Sequence, residues 1–144
     1  MKKIILAVLP VLMVTGLLFD TGCKKSDADD PAGQLVGITW VLQTIRYPSH
    51  TVTVARTYTM LFNSDGSLDM VVDCNVCGGN YTIGDNNTLS FPGAFACTEA
   101  ECGPDSEDTE FHEALDSGSR YEVDGNVMRL YFNNQVSTLD FVAQ

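Results

Sequence analysis

The sequence predicts an α+β domain: a mostly antiparallel β meander, its sheet curled or partly closed, with one α-helix at about residues 106–117. Two observations lead there. From Leu35 onward, short runs rich in β-branched and aromatic residues alternate with Asp-Gly and Asn-Asn turn pairs, the punctuation of successive hairpins. One stretch breaks that rhythm and shows helical spacing instead. Sequential hairpins with a single helix imply an antiparallel sheet, and curling limits its exposed edges.

Each element has its own reason. Residues 38–46 (ITWVLQTIR) alternate loosely and hold the only tryptophan, Trp40. A ring of that size contributes most when buried, so Trp40 is expected in the core. Residues 58–62 and 68–72 flank Asn63-Ser64-Asp65-Gly66-Ser67, where Asp-Gly supplies the positive φ of a tight hairpin. Residues 81–83 and 89–91 flank Gly84-Asp85-Asn86-Asn87, and residues 121–123 and 127–132 flank Asp124-Gly125-Asn126. Residues 136–142 follow Asn133-Asn134-Gln135 and complete the meander. Between the second and third hairpins, Pro104-Asp105-Ser106-Glu107-Asp108 offers capping oxygens and acids suited to the positive end of a helix. Phe111, Ala114 and Leu115 then fall on one helical face, and Gly118 ends it.

The N-terminal thirty residues, MKKIILAVLPVLMVTGLLFDTGCKKSDADD, set out two lysines, an apolar run and small residues in the layout of a secretory signal. The run is shorter than the ~20 residues a spanning helix needs, and Pro10 interrupts it. Thr21-Gly22-Cys23 resembles a bacterial lipobox, in which the cysteine is acylated, with palmitate or a similar chain, and becomes the first mature residue. Asp20 stands where a lipobox usually has an aliphatic residue. Acylation of Cys23 would use the odd member of five cysteines and leave an even set. The expected organisation is a signal over 1–22, a flexible tether over 23–34 that is polar and Pro/Gly-containing, and a domain over 35–144. That places the domain in the bacterial cell envelope, held to the membrane by the lipid at Cys23, on its periplasmic or its surface side.

Beyond residue 22 the chain carries six basic and eighteen acidic side chains. Such a charge keeps a small domain soluble and opposes nucleic-acid binding, which needs a basic footprint. The length suits one domain with its own core.

Several fragments, in order, resemble the META domain, the HslJ-like envelope lipoprotein family. They are Leu35-Val36-Gly37-Ile38-Thr39-Trp40, like its L-x-G-x-x-W; residues 58–66, like its strand and D-G turn; Cys74-Asn75 with Gly79 and Tyr81, like its C-N-x-x-x-G-x-Y; Ala96-Cys97, like its A-C; and Glu110-Phe111 with Leu115. The resemblance spans about residues 35–142. Asp73 departs from it, standing where the family commonly has glycine. What the resemblance implies is a small antiparallel β domain, often on envelope lipoproteins, with no established catalytic activity.

The four remaining cysteines read C-x2-C, nineteen residues, then C-x4-C. Cys74, Cys77, Cys97 and Cys102 could hold zinc as four thiolates, yet an oxidising compartment favours disulfides, and Asp73, Glu99 and Glu101 oppose thiolates electrostatically. A redox dithiol wants a helix N-terminus to activate its first thiol, whereas Cys77 runs into Gly78-Gly79-Asn80-Tyr81, read as a turn before a strand. Structural disulfides are therefore expected, with three connectivities open to the residues themselves. The resemblance implies Cys74 with Cys97, and with it Cys77 with Cys102.

The acidic run Glu99, Glu101, Asp105, Glu107, Asp108, Glu110, Glu113 and Asp116 offers oxygens to calcium but lacks the spacing of an EF-hand loop, so a solvated helix face is expected. His50 and His112, the only histidines, have no nucleophile motif beside them and are expected in surface or packing roles. No glycine-rich phosphate loop or H-E-x-x-H is present. The expectation is a non-enzymatic, lipid-anchored envelope protein with a disulfide-stapled domain in a binding, stress-tolerance or structural role. It has no catalytic, cofactor or metal residue. The alternative is a metal-binding or redox-active protein built on the cysteines or the acidic run.

Overall fold

The computed structural model describes residues 31–144. The signal expected over 1–22, the acylation expected at Cys23 and the expected tether up to residue 30 lie outside the described residues. Residues 31–34, expected as the end of that tether, belong to a short helix, α1 (Pro31–Leu35). Leu35 is fully buried, and its carbonyl accepts a hydrogen bond from Trp40 Nε1 at 3.0 Å. The indole thus enters the core with its polar atom satisfied, which a buried N–H requires.

The strands are β1 (Thr39–Arg46), β2 (Thr51–Thr53), β3 (Tyr58–Phe62), β4 (Ser67–Val72), β5 (Asn75–Asn80), β6 (Thr82–Ile83), β7 (Leu89–Ser90), β8 (Ala96–Cys97), β9 (Arg120–Asp124), β10 (Val127–Phe132) and β11 (Ser137–Ala143). Between β8 and β9 runs α2 (Asp108–Asp116). The main sheet has the order β8-β5-β4-β3-β1-β11-β10-β9, and β2 pairs with the far half of β1. Every described pairing is antiparallel, so the α+β meander expected from the hairpins is the fold observed.

The loose alternation in 38–46 has a local cause. β1 pairs Leu42 with Phe141 and Thr44 with Asp140, so Gln43 is bulged out of register. Trp40 and Leu42 point inward before the bulge and Ile45 after it. One extra residue shifts the two-residue phase and bends the strand.

The sheet curls without closing. β8 and β9 are not paired, and the β6–β7 hairpin packs against the β9 end of the main sheet. The Leu89 amide donates to the Ser119 carbonyl at 3.1 Å, and Thr88 forms a bridge with Arg120. These contacts cover part of what would otherwise be open strand edge.

Inside the curl, Trp40, Tyr58, Met60, Phe62, Phe111, Tyr121, Leu130 and Phe141 form one core. Phe111, Ala114 and Leu115 are the buried face of α2, as their spacing predicts. Its start is built differently from the expectation. Glu107, the residue before the helix, makes no side-chain cap; instead its amide donates to the Tyr58 hydroxyl at 2.7 Å, beside Ser106 Oγ at 3.2 Å. A hydroxyl from β3 satisfies one of the helix's free amides. Burial first of all pushes the Tyr58 hydroxyl pKa upward, so it stays a neutral partner.

Candidate functional site

The densest polar construction surrounds the DCNVCGGNY stretch, and it starts from a two-residue turn. β4 and β5 pair Val72 with Asn75, leaving Asp73-Cys74 as the hairpin loop. Asp73 adopts φ 53°, a left-handed conformation in which glycine carries no Cβ penalty. Asp73 lies 3.7 Å from Arg56, and one of its carboxylate oxygens is buried without a hydrogen bond.

Next along the chain, Asn75 clamps the segment that follows β8. Its Nδ2 donates to the Ala100 carbonyl at 3.0 Å, and its Oδ1 accepts from the Ala100 amide at 2.8 Å and from Thr98 Oγ1 at 2.9 Å. A buried amide with both ends engaged rigidifies the loop it holds. It also fixes Cys102, whose Sγ lies 3.3 Å from the same Nδ2.

The pairing implied by the resemblance is corrected here. Cys74 is joined to Cys102 and Cys77 to Cys97. Strand geometry decides it. In β5 the side chains alternate, so Cys77 points inward at 2% exposure while Val76 faces solvent at 62%. The β5–β8 register sets Cys77 directly opposite Cys97. Cys74 lies outside the strand, in the turn, beside the clamped segment that carries Cys102. Residues 78–80, expected as a turn, continue β5, and the glycine at 79 serves packing. A Cβ on Gly79 would sit 2.6 Å from Cδ1 of Phe95, whose ring covers that strand.

His112 is expected from the sequence in a surface or packing role. It lies half-buried on α2, with Nε2 3.9 Å from Cys97 Sγ and its ring tilted 6.0 Å from that of Phe95. Fifteen residues of chain separate it from Cys97, and the only hint in the sequence was its place beside the buried Phe111. Cys77, Cys97 and His112 bring their ligand atoms within 4.8 Å of one another. The four cysteines do not gather as four thiolates, because they are consumed in two bridges. The acidic residues Glu99, Glu101, Asp105, Glu113 and Asp116 are spread over exposed positions.

On the other flank of α2, Tyr47, Glu110, Glu113, Ala114, Ser117, Phe132 and Asn133 line an open cavity of about 270 Å³. His50 stacks on Tyr47 at 4.7 Å, and Phe132 meets it edge-on. Burial, then the charges of Glu110, Glu113 and Glu107, raise the Tyr47 hydroxyl pKa. Trp40 lines neither this cavity nor the cysteine cluster.

The fold recurs in solved structures. The chain is similar to a protein from Burkholderia xenovorans studied by NMR, with a TM-score of 0.66 and 24% identity, covering 80% of this chain and 88% of that one. A second NMR structure matches with a TM-score of 0.57 and 22% identity over 76% of this chain and 91% of the other. No curated protein matches in sequence. The model of the META domain matches residues 33–144, taking in both disulfides, the Asn75 clamp and α2, and the chain accordingly belongs to the META domain family.

Proposed function

We propose that this chain is a lipid-anchored protein of the bacterial envelope, acylated at Cys23, whose META domain works by binding or by structural support under stress at the membrane surface, without catalysis. The observation that carries the reading is the pair of disulfides closing one face of the domain. Bridges of this kind persist where the compartment is oxidising, and the signal-type leader with its Thr-Gly-Cys end provides the route there. The four domain cysteines are all used, leaving Cys23 as the thiol available for a lipid.

The test is fractionation of the native host. Wild-type protein is expected in the membrane fraction with its domain thiols oxidised, and Cys23→Ala in the soluble exported fraction with the same disulfides. A Cys23→Ala protein that stays in the membrane, or wild-type protein found reduced in the cytosol, refutes the reading.

A further inference from the structure

We infer that Cys77, Cys97 and His112 form a binding site for a thiophilic d10 ion whenever the two thiols are not joined to each other, so that the inner disulfide and a metal centre are alternative states of one site. This goes beyond the envelope role above and does not depend on the lipid anchor.

Position comes first. Cys77 and Cys97 face each other across the β5–β8 ladder with Cα atoms 4.0 Å apart. That backbone pairing, two residue pairs long, is independent of the S–S bond and is what would hold the two sulfurs near each other in the reduced site. His112 comes from a third element, α2, whose buried face is anchored by Phe111, Ala114 and Leu115. Its Nε2 reaches 3.9 Å from Cys97 Sγ, and all three ligand atoms lie within 4.8 Å of one another. Among the described residues this is the one gathering of three such groups. The floor is apolar, with Cys77 buried and Phe95 beside the imidazole, while Cys97 and His112 keep partial exposure that admits an ion.

The donor set then selects the ion. Two thiolates and an imidazole suit Zn²⁺ or Cu⁺, whereas Ca²⁺ and Mg²⁺ require oxygen ligands. Three protein ligands satisfy Cu⁺, and Zn²⁺ would take a water as its fourth. Metal capture converts two thiols to thiolates and releases two protons to solvent. Closure of the bridge instead passes two protons and two electrons to a disulfide oxidant, which leaves as a dithiol; a dithiol reductant reverses that step. Metal and oxidant thus compete for the same sulfurs, and bound metal protects them from oxidation.

The test uses the full chain carrying Cys23→Ala, Cys74→Ala and Cys102→Ala, so that the only cysteines are the proposed ligands. Reduced under anaerobic conditions, it is expected to bind one Zn²⁺ or one Cu⁺ per chain, with Co²⁺ giving a thiolate charge-transfer band. His112→Gln should weaken binding at least ~10-fold, and the oxidised protein should bind none. Parallel titrations with Zn²⁺ and Cu⁺ identify the preferred ion. Near-UV circular dichroism follows folding: should reduction unfold the chain, metal is expected to restore the fold with His112 present and not with His112→Gln. No uptake by the reduced chain, no restoration, or equal affinity in His112→Gln overturns the inference.

Discussion

Replacing Cys77 and Cys97 with alanine opens the inner bridge and leaves the outer one in place. Alone, a loop of sequence separation 20 closed by Cys77–Cys97 corresponds to about 3 kcal/mol of lost unfolded-state freedom, and the separation of 28 at Cys74–Cys102 to about 3.5 kcal/mol. The loops are nested, however. Once Cys74 and Cys102 are joined, only the short arms 74–77 and 97–102 separate the two bridges, so the second closure removes less, about 2 kcal/mol. Losing buried sulfur at Cys77 adds roughly 1 kcal/mol through the void it leaves. The double variant should therefore lose about 3 kcal/mol in urea unfolding. Removing both bridges by alanine substitution should cost about 6–7 kcal/mol, of which about 5.5 kcal/mol is loop entropy, short of the roughly 6.5 kcal/mol of two independent loops. That is a large share of the ~5–15 kcal/mol typical of a domain. The pairing is read in the single variant Cys77→Ala, where the freed thiol should be Cys97, located by alkylation and mass spectrometry. Labelling of Cys102 there refutes the pairing. Unchanged stability in the double variant refutes the energetic argument.

Three further outcomes follow from particular residues. Asp73→Gly relieves a left-handed φ and removes a buried, unpartnered carboxylate oxygen, so it should stabilise by roughly 1 kcal/mol even after losing Arg56; a lower thermal midpoint contradicts this. Gly79→Ala places a methyl against Phe95 and should cost about 1–3 kcal/mol, with Phe95→Ala in the same chain recovering part of the loss; no change in urea midpoint in either variant would count against the contact. Glu122 is held below the usual carboxylate range, first by the Tyr131 hydroxyl and then by Arg120. Its folded pKa being depressed, its contribution is present above the unfolded value and is lost as pH falls through the folded one. Tyr131→Phe should therefore flatten the acid limb of the stability curve below about pH 4.5, and identical wild-type and variant profiles would exclude that role. Glu122 is well exposed, so the change should be small.

Hairpins were legible because their signals are local. Asp65-Gly66 and Asp124-Gly125 place glycines at positive φ, and the flanking runs pair as their turns dictate. Phe111, Ala114 and Leu115 disclosed the helix through spacing alone. Less could be read where neighbours distant in sequence do the work. β2 and β8 are two or three residues long, too short for a period to show. Residues 78–80 read as a turn because glycine is a turn former, yet they continue β5 and Gly79 is there to admit Phe95. Local acids and hydroxyls imply a self-capped helix start, whereas a tyrosine from β3 supplies the partner.

By itself, then, the sequence determined the antiparallel meander, the burial of Trp40 and the main helix α2, because turn chemistry and hydrophobic period are written in adjacent residues, and its ordered motif fragments carried the resemblance to the family. Only the tertiary structure decided which cysteines meet. That choice depends on the inward phase of β5 and on its register with β8, and a shift of one residue would turn Cys77 outward. The same packing brought His112 to Cys97, a proximity set by how α2 docks on the sheet rather than by any spacing along the chain.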